Sequence, residues 1–89
     1  MEYKIAEIIS NDGYPRTDGR YPLRIGRICE EPKPVVGTRL FIHYLRDRDG
    51  SDYSNKVLWT SQVINWEYLN SGDKIIVQTT NSKYVFEKC

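Results

Sequence analysis

Short runs of alternating apolar and polar residues, each closed by a turn-forming cluster, extend along this 89-residue chain and leave no helical period long enough to fill a layer of a fold. Between Tyr3 and Ile9 the pattern is near-alternating, with Tyr3, Ile5 and Ile9 on one parity and Lys4, Ala6 and Ile8 on the other, and Asn11-Asp12-Gly13 then supplies a turn. Leu23, Ile25 and Cys29 alternate with Arg24 and Gly26 until Ile28 breaks the parity. This predicts a second, half-buried strand bent near the glycine. Glu31-Pro32-Lys33-Pro34 cannot lie inside a sheet, because proline donates no ladder hydrogen bond, so a loop is expected up to Gly37.

Leu40-Phe41-Ile42-His43-Tyr44-Leu45 is bulky on both parities, as in a central strand covered on both faces or one that wraps a barrel, and Asp49-Gly50 marks the turn after it. Val57–Thr60 and Val63–Leu69 follow. The latter sets Ile64, Trp66 and Tyr68 on one parity against Asn65 and Glu67; a short helix is the rival reading, but strict alternation of β-favouring side chains favours a strand. Asn70-Ser71-Gly72-Asp73 turns the chain into Lys74–Thr79, and Asn81-Ser82 turns it into Tyr84-Val85-Phe86. The expected fold is all-β, a single domain over residues 1–89, built as a small SH3-like or OB-like barrel or sandwich of five to seven short antiparallel strands.

A chain this short buries only about 60–65% of the surface its unfolded state exposes, which leaves little room for a deep catalytic cleft. The net charge of +1 favours neither nucleic acid nor an anionic membrane as a bulk partner. The distribution of charge says more: all seven arginines lie between Arg16 and Arg48, and Gly13–Ile28 carries four of them against Asp18 alone. Cys29 and Cys89 are expected to be free thiols, since no secretion signal accompanies them. No stretch approaches the roughly 18 apolar residues of a membrane span, so a soluble, cytoplasmic protein is expected.

The loop from Asn11 to Pro22 is the candidate contact surface. In Gly13-Tyr14-Pro15-Arg16-Thr17-Asp18-Gly19-Arg20-Tyr21-Pro22, tyrosine offers a flat ring, arginine a planar donor fork, and proline limits the entropy lost on ordering. Tyr14, Arg16, Arg20, Tyr21 and Arg24, supported by Arg27, form the candidate binding set for a phosphate, a base or a protein carboxylate. The competing reading folds the tyrosines onto the barrel end and pairs the arginines with Asp12, Asp18 or Glu30.

No catalytic or metal-binding set stands out. Asp47-Arg48-Asp49-Gly50-Ser51-Asp52 resembles a calcium loop, but its glycine comes fourth and no glutamate closes it, so a charged turn is expected. His43, in the most apolar strand, reads as a buried or cross-strand histidine rather than a ligand or general base. Neither Cys29 nor Ser61 sits in a context that marks an activated nucleophile. No enzyme activity, cofactor or metal is therefore expected. Trp59, Trp66, Tyr44, Tyr53, Tyr68, Tyr84 and Phe86 read mainly as core and cross-strand pairs, some of them exposed because so small a barrel cannot enclose them all.

Trp59-Thr60-Ser61-Gln62-Val63, the segment Val77–Phe86, and Tyr21-Pro22-Leu23-Arg24-Ile25-Gly26-Arg27 resemble parts of small β proteins encoded by phages and prophages of gut Firmicutes. The resemblance implies a mobile-element accessory protein that inhibits a host defence factor or sequesters a small anionic ligand such as a nucleotide by stoichiometric binding. It transfers no particular residue. The alternative expectation is a nucleic-acid-binding SH3-like or OB-like module, with the same arginines on phosphates and Trp59 or Trp66 as a stacking platform. A homodimer is compatible with either, because exposed edge strands can pair across a two-fold axis.

Overall fold

Strand β1, Glu2–Ser10, pairs antiparallel with both β2, Ile28–Glu30, and the last strand β6, Ser82–Lys88, and so closes the sheet on itself. Between them β3 (Arg39–Arg46), β4 (Val57–Leu69) and β5 (Lys74–Thr79) continue the circuit, each hydrogen-bonded to its neighbour in sequence. The result, in a computed structural model that describes residues 1–89, is a closed six-stranded antiparallel barrel of the small SH3/OB-like kind.

The alternation in the sequence becomes inside and outside of this barrel. Leu40, Ile42 and Tyr44 of β3 point inward with Ile75 and Val77 of β5, Tyr84 and Phe86 of β6, and Tyr3, Ile5 and Ile8 of β1. Closure demands local bends, and the pairing register slips at Ile5/Glu7, Arg39/Phe41 and Val63/Asn65. The slip in β1 is why Ile5 and Ile8, of opposite parity, both reach the core. β3 is therefore the barrel-wrapping alternative of the sequence reading, since Phe41 faces outward.

Two expectations are corrected, and a third, that the aromatic side chains divide between core, cross-strand pairs and exposed positions, is resolved residue by residue. Leu23–Cys29 is not one strand: Tyr21–Arg24 forms a single helical turn, α1, and only Ile28–Glu30 joins the sheet. Pro22, at the start of that turn, is pre-set for helical φ, and successive i→i+3 bonds from Leu23, Ile25 and Arg27 to Arg20, Pro22 and Arg24 take the backbone donors a ladder would need. Val57–Thr60 and Val63–Leu69 are one strand, β4, continuous through its bulge. Trp59, Trp66 and Tyr68 are not core. Trp59 packs cross-strand on Phe41 on the outer face, ring centroids 4.7 Å apart, and remains 53% exposed.

Trp66 and Tyr68 lie opposite the buried Val77 and Ile75, on the inner face of the β4–β5 ribbon, yet they stay partly exposed. The ribbon runs on past the last β3 pairing, so no facing strand completes their cover, and the two rings pack edge-on against each other with centroids 5.1 Å apart. Cys29 and Cys89 are free thiols, the first buried and pushed up to about 12 by that burial. No helix is long and apolar enough to cross a membrane.

Candidate functional site

In a barrel whose strands follow one another, connections alternate between its two ends. The β1–β2, β3–β4 and β5–β6 connections accordingly gather at one end, and all six candidate residues are in the first of them. The structure divides five of those six between two tasks and leaves Tyr14 outside both.

Arg16 and Tyr21 hold the connection in place. Both terminal forks of Arg16 meet Asp18, Nε to Oδ1 at 2.9 Å and Nη2 to Oδ2 at 2.6 Å, while Nη1 donates to the Asn81 carbonyl and to Ser82 Oγ in the β5–β6 turn, each at 2.9 Å. Its guanidinium lies 4.1 Å from the centroid of the Tyr21 ring, and that of Arg24 lies 4.6 Å from the same ring. Asp18 titrates below the usual carboxylate range because of the hydrogen bonds from Arg16. With its donors spent inside the protein, Arg16 is a clamp. Tyr14 is 73% exposed and stands apart from the others, outside the cleft described next.

Arg20, Arg24 and Arg27 come together. They share a cleft of about 270 Å³ with Leu23, Tyr44, Tyr53, Lys56, Val57 and Leu58. The 20, 24, 27 spacing, which a strand would have split between two faces, is brought to one side by α1 and the turn after it. Gly26 makes that turn possible: its φ is +88°, and a Cβ there would stand 3.0 Å from Arg48 Cβ. Its N–H donates to the Ile5 carbonyl while Ile5 N–H donates to the Arg27 carbonyl, hooking the segment to the bulge of β1.

The lining contains four cations and no carboxylate. None of the protein's ion pairs involves Arg20, Arg24 or Lys56. Arg24 Nη1 donates to Tyr84 Oη at 3.1 Å. Arg27 gives its Nε to Asp47 at 3.3 Å, stacks on Tyr53 and Tyr44, 4.5 and 5.1 Å from the ring centroids, and stands close enough to the Tyr44 hydroxyl to interact with it. Like charges gathered this way repel one another, and a bound anion relieves that repulsion. Burial raises the Tyr44 phenol above its ordinary value, with Arg27 opposing the rise.

Two contributors were missed in the sequence. Tyr44 sits in the apolar β3 run and reads there as core, which it also is; Lys56, after Ser54-Asn55, carries no local signal and reaches the cleft only because β4 starts beside α1.

Elsewhere, cations and carboxylates share the same depressions. A shallower depression of about 450 Å³ at the opposite end mixes Asp73, Lys74, Glu87 and Lys88, with Lys74 and Glu87 paired at 3.8 Å. Asp49 and Asp52 accept from the backbone and hydroxyl of Ser51 and Ser54 respectively, and Asp47 accepts from Arg48 N–H, so each carboxylate of the candidate calcium loop folds the turn. His43 is a cross-strand histidine on the outer face rather than a buried one, with Nδ1 3.2 Å from Glu30 and Nε2 2.9 Å from the Ser54 carbonyl. Against known proteins, no family model, no curated protein and no solved structure matches this chain.

Proposed function

We propose that this protein is a non-enzymatic binding barrel that takes an anionic ligand, or an anionic group of a protein partner, stoichiometrically in the Arg20–Arg24–Arg27–Lys56 cleft. The observation that carries the reading is the convergence of four cations from two connections on one concavity with no carboxylate in its wall. Tyr44, Tyr53, Leu23, Val57 and Leu58 give that concavity an apolar and aromatic side, the usual composition of a small-ligand site. Apart from Lys56 and the two tyrosines the lining offers no imidazole, thiol or carboxylate, and its excess of guanidinium groups suits holding an anion, which supports sequestration. The resemblance to phage-encoded proteins adds a setting to this proposal, that of a cytoplasmic accessory protein of a mobile element acting on a host factor.

Native mass spectrometry tests the reading directly. The wild-type protein, incubated with a panel of anionic metabolites and with host lysate, is expected to gain a discrete mass that the Arg20→Ala/Arg24→Ala double variant does not gain. The two side chains make no ion pair in the fold, so the variant should keep its circular dichroism spectrum, with its melting temperature lowered only by the loss of the Arg24–Tyr84 hydrogen bond and the Arg24–Tyr21 stack. Equal retention by both proteins would remove the cleft from the proposal.

A second reading rests on the outer face of β3 and β4. There Phe41 and Trp59 form an exposed aromatic pair and the Arg39 guanidinium lies 5.9 Å from the Trp59 ring, an arrangement suited to stacking a single-stranded nucleic acid. It predicts quenching of tryptophan fluorescence by oligonucleotides that weakens steeply with salt.

A further inference from the structure

One polar atom in the cleft has no partner. Tyr44 is only 3% exposed, and its hydroxyl is buried without a hydrogen bond, although Arg27 lies near enough to oppose the rise in its pKa. A buried hydroxyl in that condition costs stability, roughly 1–3 kcal/mol for such groups in general, unless something supplied from outside meets it. It sits in the wall shared by Arg20, Arg24, Arg27 and Lys56.

The donors therefore exceed what a carboxylate takes. A carboxylate brings one charge and two oxygens, and would leave two of the three cations that lack an ion pair, Arg20, Arg24 and Lys56, uncompensated. A phosphodiester likewise brings one charge. A phosphate monoester brings a charge of roughly −1.5 to −2 at neutral pH and three strong acceptor oxygens, enough to engage free guanidinium N–H groups, the ammonium and an O–H together. The cleft, at about 270 Å³, lies just below the ~300–1,000 Å³ range of small-ligand pockets, so it accommodates a phosphate and a small attached body. The apolar wall of Leu23, Val57 and Leu58 gives that body a surface to rest on.

We infer that the anion bound in this cleft is a phosphate monoester on a small, partly apolar body, held by Arg20, Arg24, Arg27 and Lys56 and by a hydrogen bond donated from the Tyr44 hydroxyl. This rests on the cleft being the binding site.

The test is a titration of the full chain, followed by backbone and arginine side-chain NMR, with phenyl phosphate, inorganic phosphate, benzoate and diethyl phosphate. Phenyl phosphate is expected to bind at least about tenfold tighter than the other three, to shift Arg20, Arg24, Arg27 and Tyr44 resonances, and to weaken as pH falls below about 6, where the ester loses its second charge. Tyr44→Phe should lower that affinity about tenfold, the scale of a hydrogen bond to a charged group. The same variant should melt within a few degrees of the wild type, because the hydroxyl it deletes is buried without a well-formed hydrogen bond and only its proximity to Arg27 is lost.

Benzoate or diethyl phosphate binding as tightly as phenyl phosphate would overturn the phosphomonoester while leaving an anion site. Inorganic phosphate binding equally would overturn the organic body. Unweakened binding by Tyr44→Phe would overturn the role of the hydroxyl. If no anion shifts the cleft resonances at millimolar concentration, both this inference and the anion-binding reading fall.

Discussion

Two arginines four residues apart in one connection have opposite fates, and their partners decide which. Arg16 meets Asp18, Asn81 and Ser82 and ties the β1–β2 connection to the β5–β6 turn, whereas Arg20 meets no acid and opens onto the cleft. Arg16→Ala is therefore expected to lower the melting temperature by a few degrees and loosen the loop, while Arg20→Ala leaves it unchanged. Differential scanning calorimetry of the two variants separates clamp from contact. His43 gives a second prediction at this scale. The hydrogen bond to the Ser54 carbonyl, then that to Glu30, raises its pKa above the ordinary value near 6.5. A raised folded-state pKa means the protonated ring favours the fold: that contribution is fully present below the unfolded value and is lost as pH rises through the folded one. NMR titration of the imidazole should give a midpoint above that of a random-coil peptide, and His43→Gln should flatten the pH dependence of stability over this window.

At the scale of elements, β1, β3, β5 and β6 were legible because their alternation survives into the barrel. The failures have physical causes. In Leu23–Cys29 the apolar spacing imitates a strand, but Pro22 favours the first helical turn and Gly26 adopts a positive φ that only a close backbone turn requires. Gly26→Ala should thus cost about 1–2 kcal/mol from its backbone alone, more if Arg48 cannot yield, and should displace Arg27 from the cleft. Urea unfolding and the Arg27 Nε–H resonance report the two effects. The polar pair Ser61-Gln62, at the irregularity where Arg39 and Phe41 meet Gln62 and Trp59, hid the continuity of β4, and alternation could not show that Trp66 and Tyr68 lie on a ribbon running past its neighbour. Of the site, Arg20, Arg24 and Arg27 were legible as a local excess of charge. Tyr44 and Lys56 were not, because their part depends on which strands meet at the end of the barrel.

For the molecule as a whole, closure makes one strand a hinge of stability. β6 lies between β1 and β5, joining the first strand of the chain to the fifth, and its Phe86 is fully enclosed in the core with Ile5 and Ile75 as its register partners on the two sides. Pairing between residues so far apart in sequence has to wait for the rest of the barrel, so the closure does not form piecemeal. A domain of 89 residues has a net stability of roughly 4–13 kcal/mol by size alone. Truncating a buried phenylalanine costs about 3–5 kcal/mol, a large part of that total. Phe86→Ala is therefore expected to lower the denaturation midpoint steeply, with the fluorescence of the two β4 tryptophans, Trp59 and Trp66, and backbone ellipticity unfolding together. Trp59 sits on the far strand pair from Phe86, so a Trp59 fluorescence transition that comes later than the ellipticity change would show that β3 and β4 hold without the closing strand. In that case the cleft, built where α1 meets β3 and the start of β4, would retain its cations but lose the β1 hook that sets Arg27, and anion binding should weaken before the barrel melts.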